Sequence, residues 1–203
     1  MPEDSPMREN VQKIIYQTNR CKNIVQSLLD FARTPTGDMV PLQINQVIHT
    51  SLNLVKEQSI FHGIEIEFIL AEHLPDILGD QSRLEEVFLN LFINAADAME
   101  GGGKLKIITE QTKNGAIRIS ISDTGKGIDE EHLSHIFEPF YTTKEQGHGT
   151  GLGLSIAYGI LRKHNATIDA NSKPGVGTTF IISMPVHASG KSQTGGENMP
   201  GKK

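Results

Sequence analysis

The sequence contains one cysteine, Cys21, so no disulfide can close within the chain and a reducing compartment suits it. No run of about 18 apolar residues occurs, so no segment reads as a membrane-spanning helix and no membrane contact is expected. The first residues are acidic and polar, so no signal peptide is expected. No long run of one charge is present either. The formal net charge of -5 is spread over 203 residues, without the basic face that nucleic acid would need. A cytoplasmic location follows for this stretch of chain.

What is there begins with a polar lead-in, residues 1–9, expected to be disordered. Val11, Ile14, Thr18, Cys21, Val25, Leu28 and Ala32 then recur three and four apart, a heptad seam that predicts one long helix over residues 10–35. Ile15, Ile24, Leu29 and Phe31 widen its apolar stripe. Such a helix either joins a helical bundle or packs on its own globular domain. Pro35 stops it, and Pro35-Thr-Gly-Asp-Met-Val-Pro41 reads as a linker.

A second domain is expected over residues 41–187. Helices are predicted at 44–59, 82–99, near 129–136 and at 152–164. Strands are predicted at 64–70, 105–111, 116–122, 166–171 and 177–184. Asn114-Gly115 and Pro174-Gly175 mark two hairpins, and Ser82-Arg-Leu-Glu85 reads as a capping box for the helix 82–99. Residues 188–203, rich in Gly, Ser, Lys and Pro, are expected to form a disordered tail. Hairpins with helices between them predict an α+β two-layer sandwich, a mixed sheet with helices on one face.

Three patterns carry chemistry. On the helix 82–99, Glu86, Asn90, Asn94 and Asp97 fall within about one quarter of the helix surface, opposite Leu84, Val87, Leu91 and Ala98. That polar face is either simply solvated or, through Asn carbonyl oxygens, a set of hard ligands for Mg²⁺. Asp123-Thr-Gly125-Lys-Gly127 follows a strand; it is either a tight turn or a place where a flat ring approaches the backbone beside an accepting carboxylate. Gly147-His-Gly149-Thr-Gly151-Leu-Gly153-Leu154 precedes a helix, where converging N–H groups can meet phosphate. The Walker phosphate loop is excluded, because Pro185 stands where Gly190-Lys191-Ser192 would need its first glycine. The dinucleotide fingerprint is excluded by Leu154. Between the glycine segments, Phe137-Glu-Pro-Phe140-Tyr-Thr-Thr-Lys144 either pins the loop to the core or anchors a mobile lid with Lys144 reaching phosphate.

In this order the segments resemble the nucleotide-binding domain of sensor histidine kinases in the GHKL ATPase superfamily. Asn90-Leu-Phe-Ile-Asn94 is similar to its N box, Asp123 to Gly127 to its G1 box, Phe137-Glu-Pro-Phe140 to its F box and Gly149-Thr-Gly-Leu-Gly153 to its G2 box. Gly177-Thr178-Thr179-Phe180 resembles the start of the family's last strand. The resemblance implies ATP and Mg²⁺ as ligands. It implies that Asn94, assisted by Asn90, holds the metal, and that Asp123, with Thr178 through water, holds the adenine amine. Residues 124–150 would be the ATP lid, with Gly149, Gly151 and Gly153 against the phosphates. Asp97, Gly125, Gly127, Ile128, Phe137, Tyr141, Thr142, Thr143, Lys144, Thr150, Leu152 and Leu154 complete the implied ATP site.

The resemblance also implies a receiver domain of a response regulator as partner, and homodimerisation through the N-terminal helix, which is similar to the second helix of the family's phosphotransfer hairpin. ATP-hydrolysing relatives (gyrase B, MutL, the heat-shock chaperones) carry a water-activating glutamate where this chain has Asn90, which takes no proton at neutral pH. Glu86, one turn away, is not expected to replace it. The phosphoaccepting histidine, with its following acidic residue, is absent. No histidine precedes His49, and none of the eight, including His62, His132, His135, His148 and His164, is followed by Asp or Glu. All eight read as structural or solvated, and the chain as part of a longer kinase whose membrane anchoring stays open. Two alternatives are a serine kinase of the same superfamily, resembling anti-sigma factors, and a nucleotide-binding scaffold without catalysis.

Overall fold

Isoleucines alternate through Ile117, Ile119 and Ile121, each buried, with Arg118, Ser120 and Ser122 between them on the other face. That period of two makes a strand with one wet side. In the computed structural model, residues 37–144 and 149–187 are described, together with Val11 and Thr18. Apart from Val11 and Thr18, the predicted helix of residues 10–35 lies outside the described residues, as do the lead-in and the tail.

In chain order the elements are β1 (Val40–Leu42), α1 (Ile44–Val55), a single 3-10 turn (Ser59–Phe61), β2 (Ile64–Leu70), β3 (Ile77–Gly79), α2 (Gln81–Ala98), β4 (Gly103–Gln111), β5 (Ile117–Asp123), α3 (Glu130–Leu133), α4 (Gly153–Lys163), β6 (Thr167–Lys173) and β7 (Gly177–Met184). Five strands form one mixed sheet in the order β2-β4-β5-β7-β6. β2 runs parallel to β4, and the other three pairings are antiparallel. A parallel pair needs a crossover, and α2 supplies it between β2 and β4. The Asn114-Gly115 turn closes β4 onto β5, with Gly115 at φ 83° and the Thr112 N–H donating to the Ala116 carbonyl at 2.8 Å.

Helices α1, α2 and α4 pack together over one sheet face. Leu84, Val87, Phe88, Leu91 and Phe92 of α2 are fully buried against Leu105, Ile107, Ile119 and Ile182. Each such side chain contributes roughly 1.5–3 kcal/mol. The opposite sheet face is lined by charge pairs, such as Lys104 Nζ to Glu67 at 2.9 Å. The α+β sandwich with helices on one face is thus the observed architecture.

Two local expectations are corrected. The α2 cap is Asp80, not Ser82. Asp80 has extended backbone (φ −90°, ψ 111°), and its carboxylate accepts the Arg83 N–H at 3.2 Å. Ser82 already lies inside the helix, and Glu85 accepts from the Gln81 side chain instead. A small antiparallel ribbon of β1 and β3, pairing Val40 with Gly79 and Leu42 with Ile77, also escaped the sequence reading. It starts within the stretch read as linker, and three residues per strand are too few for a period to register. The ribbon delivers the chain directly to the Asp80 cap. There the Asp80 N–H donates to Nε2 of the buried His164 at 3.0 Å, while Nδ1 of His164 donates to the Ile160 carbonyl at 2.8 Å. His164 thereby ties the end of α4 to the start of α2.

Removing the cap is expected to cost about 1 kcal/mol in Asp80→Ala, and only a few tenths in Asp80→Asn, which keeps an accepting oxygen. Urea unfolding followed by far-ultraviolet circular dichroism measures both. Equal midpoints for wild type and Asp80→Ala would contradict the cap.

Candidate functional site

Segments far apart in sequence close around one cavity of about 300 Å³. Its wall takes Asn90, Ile93, Asn94, Asp97 and Ala98 from α2, and Asp123 from the end of β5. Lys126, Gly127, Ile128 and Ile136 follow from the next loop, then Tyr141, Thr142, Thr143 and Lys144. Gly149, Thr150 and Gly151, with Gly153 and Leu154 at the start of α4, face them, and Thr178 and Phe180 of β7 close the floor. Sixteen of these were candidates from sequence: Asn90, Asn94, Asp97, Asp123, Gly127, Ile128, Tyr141 through Lys144, Gly149, Thr150, Gly151, Gly153, Leu154 and Thr178.

Gly125, Phe137 and Leu152 do not line the cavity. A Cβ on Gly125 would stand 2.5 Å from the Ala98 carbonyl oxygen, so this glycine lets the loop dock on α2. Phe137 packs on the core with its ring 5.5 Å from that of Tyr158. Leu152 is buried at the N-terminus of α4. Of the wall residues that sequence reading missed, three carried a signal. Ala98 follows Asn94 by four and Ile93 follows Asn90 by three, which is one helix face, and Phe180 follows Thr178 by two on a strand. Ala98 lies about 20° from Leu91 and about 40° from Asn94 around the helix, at the border between the apolar face and the polar one, which is why it both joins the apolar set and reaches the cavity wall. Lys126 and Ile136 carried no signal.

Asp123 is the buried acid of the site. Its Oδ1 accepts the Gly125 N–H at 2.8 Å and the Thr178 N–H at 3.2 Å. Burial raises its pKa above the ordinary aspartate value, against the opposing pull of those two N–H groups. Both bonds go to one oxygen, which leaves Oδ2 for the cavity. Thr178 Oγ1 lies 2.9 Å from the Ser172 hydroxyl, and Ser172 in turn accepts the Ile128 N–H at 2.8 Å.

The loop after Asp123 is stitched on both sides. The Lys126 N–H donates to the Ala98 carbonyl at 2.9 Å, and the Gly175 N–H donates to the Lys126 carbonyl at 2.7 Å. Gly127 sits at φ 72°, and a Cβ there would lie 2.2 Å from the Lys173 carbonyl oxygen. Close backbone approach is thus one requirement that both Gly125 and Gly127 meet, and Gly127 also lines the cavity.

On α2, Asn90 and Asn94 line the cavity with neutral amide side chains, whereas Glu86 lies outside it, paired with Arg83 at 2.9 Å. Across the cavity Lys144 Nζ meets Asp97 Oδ2 at 2.6 Å, so the lysine expected to face a ligand is ion-paired in this conformation. The Phe140 N–H donates to the Gly151 carbonyl at 2.9 Å, joining the two glycine-flanked segments, and Phe140 itself adopts φ 68° with its side chain half exposed. A buried carboxylate with one free oxygen, apolar walls, paired Asn oxygens and a helix N-terminus together suit a planar amine-bearing base joined to an anionic, metal-bound group.

The profile of the family described as "Histidine kinase-, DNA gyrase B-, and HSP90-like ATPase" matches residues 79–188. The chain belongs to that family. Among curated proteins it is 32% identical over 194 residues to the sensor histidine kinase ZraS of Escherichia coli strain K12, covering 96% of this chain and 41% of ZraS. The chain thus spans about two fifths of the length of that relative. Among solved structures, the catalytic domain of histidine kinase ThkA is 32% identical with a TM-score of 0.64, covering 73% of this chain and 95% of that one. Full-length ShkA in complex with AMPPNP is 25% identical with a TM-score of 0.73, covering 91% of this chain and 40% of that one. ThkA in complex with the response regulator TrrA aligns at 26% identity and a TM-score of 0.74, over 92% of this chain and 53% of that one. Within the family the chain sides with the sensor histidine kinases.

Gly127→Ala combines a left-handed backbone with a backbone clash, and is expected to lower stability by about 2–4 kcal/mol in urea unfolding. A change below about 0.5 kcal/mol would show that the loop is not held as described.

Proposed function

We propose that this chain is the ATP-binding catalytic region of a two-component sensor histidine kinase. It would transfer the γ-phosphoryl group to a histidine on a phosphotransfer hairpin helix, for onward passage to a receiver domain. The observation that carries the reading is the buried Asp123, whose Oδ1 is saturated by two backbone N–H groups at the end of a cavity that Asn90 and Asn94 also line. Its Oδ2 would accept the exocyclic amine of adenine, and Ile93, Ile128, Ile136 and Phe180 would flank the ring. The N–H groups at the start of α4 would meet the phosphates, where the helix dipole favours negative charge. The complex of ShkA with AMPPNP supports an adenine nucleotide as ligand.

Asn90 and Asn94 suit Mg²⁺, because it needs few protein ligands when phosphates and waters supply the rest. Bound there, the ion would neutralise charge on the transferring phosphoryl group. Asn90 bears no group that can take a proton from water, which favours transfer to a side chain over hydrolysis. The ThkA–TrrA complex supports a response regulator as partner. Dimerisation would use residues 10–35. No helix among the described residues is long and apolar enough to cross a membrane.

Two outcomes are expected. Incubated alone with γ-labelled ATP and Mg²⁺, the chain should bind nucleotide without acquiring stable label, and it should label a separately supplied hairpin helix bearing a histidine. Acid-labile label on the chain itself would contradict this. Asp123→Asn should weaken ATP binding by about 1–3 kcal/mol in calorimetric titration.

The pH sign is definite. A carboxyl whose folded pKa is raised contributes stability below its unfolded pKa and loses it as pH rises through the folded value. Asp123→Asn should therefore leave the ligand-free fold at neutral pH as stable as wild type or more so. ATP affinity, which needs the ionised form, should begin to fall on acidification at a pH above the ordinary aspartate range. An Asp123→Asn protein that binds ATP as wild type does would remove Asp123 from the pocket.

A further inference from the structure

Tyr141 lines the cavity, and His132 stands beside it without lining it. The Tyr141 hydroxyl lies 2.6 Å from Nδ1 of His132. The Tyr141 ring is 5.5 Å from the ring of His135 and 6.1 Å from that of His132. The two imidazoles are three residues apart, at and just after α3, so one turn of chain brings both to the same phenol. A hydroxyl this close to a ring nitrogen shares one hydrogen with it, and the charge on the ring decides which partner donates.

A neutral His132 with its hydrogen on Nε2, toward Glu131 Oε1 at 3.6 Å, accepts the phenol hydrogen at Nδ1. The Tyr141 oxygen then offers a ligand only lone pairs. A protonated His132 carries hydrogen on both nitrogens and cannot accept. The Tyr141 oxygen must then accept from Nδ1–H, and its own hydrogen becomes available to an anionic oxygen in the cavity.

We propose that His132 is a positioning residue for the anionic part of the nucleotide, setting through the Tyr141 hydroxyl whether the cavity wall presents a donor or an acceptor. The inference rests on the nucleotide reading above. Histidine is the side chain whose charge ordinarily changes near neutral pH, so pH is the natural probe of the pair. The charged groups around the pair are Glu131 at Nε2, His135 with its partner Glu138 at 2.8 Å, and Lys144, which is held by Asp97. Strand β6, which packs against α3, carries Asp169 and Lys173. A protonated His132 facing Glu131 adds positive charge next to the hydroxyl, which further favours an anion there.

The test compares ATP with Mg²⁺ binding to wild type, His132→Gln and Tyr141→Phe by calorimetry at pH 6 and pH 8. His132→Gln keeps a hydrogen-bonding side chain but cannot change charge. Taking ratios at each pH removes the nucleotide's own titration. Wild type should bind about fivefold more tightly than either variant at pH 6, and within about twofold of them at pH 8. Without nucleotide, long-range ¹H–¹⁵N spectra report which ring nitrogen of His132 carries hydrogen; Tyr141→Phe should alter that pattern and leave His62 unchanged. Equal ratios at both pH values would overturn the positioning role while nucleotide binding stands. A wild type that fails to bind ATP while His132 still senses Tyr141→Phe would overturn the nucleotide reading and the positioning role with it. An unaltered His132 spectrum in Tyr141→Phe would overturn the pair itself.

Discussion

One buried carboxylate organises this domain. Asp123 ends the central strand β5, and its Oδ1 holds the N–H of Gly125 in the following loop and the N–H of Thr178 at the start of β7. Burying a charge is costly unless hydrogen bonds compensate it, and here the compensation comes from backbone that is thereby fixed in place. The loop after Asp123 can then dock on the end of α2 through Lys126 and on the β6–β7 turn through Gly175. The remaining carboxylate oxygen stays available to a ligand, so one side chain both holds the cavity together and equips it.

Helix α2 is the second constraint, because its two faces answer to different demands. Leu84, Val87, Phe88 and Leu91 bury against the sheet and make the helix immovable. Asn90, Asn94 and Asp97 on the other side are therefore delivered to the cavity with little freedom to lose. The Asp80 N–H, donating to His164 at one end, and the Ala98 carbonyl, accepting from Lys126 at the other, bind the helix to its surroundings. Rigid support of this kind would serve the proposed phosphoryl transfer, since positioning and charge do most of the work in such reactions.

Much of the layout was legible in the chain. Alternation over Ile117 to Ile121, the Asn114-Gly115 turn and the polar face of α2 each follow from local periodicity, and the four boxes lie close to the segments that meet at the cavity. What local pattern could not deliver were relations between distant segments. The β1–β3 ribbon pairs residues nearly forty positions apart with three residues per strand. The roles of Gly125 and Gly127 depend on Ala98 and Lys173, which no spacing within the loop announces. Phe137 and Phe140 look alike in sequence, yet one packs on the core and the other stands half exposed.

By itself, then, the sequence determined most of the residues that line the cavity and on which elements they ride, because helical and strand periods are local properties of the chain. It also determined that Asn90 and Asn94 share the polar face of one helix, and that no histidine is followed by an acid. The tertiary structure alone decided how those groups are partnered. Lys144 is bound to Asp97, Tyr141 shares a hydrogen with His132, and His164 spends both ring nitrogens joining two helices. Such pairings depend on distances across the fold, and hydrogen bonds and ion pairs act only over a few ångströms.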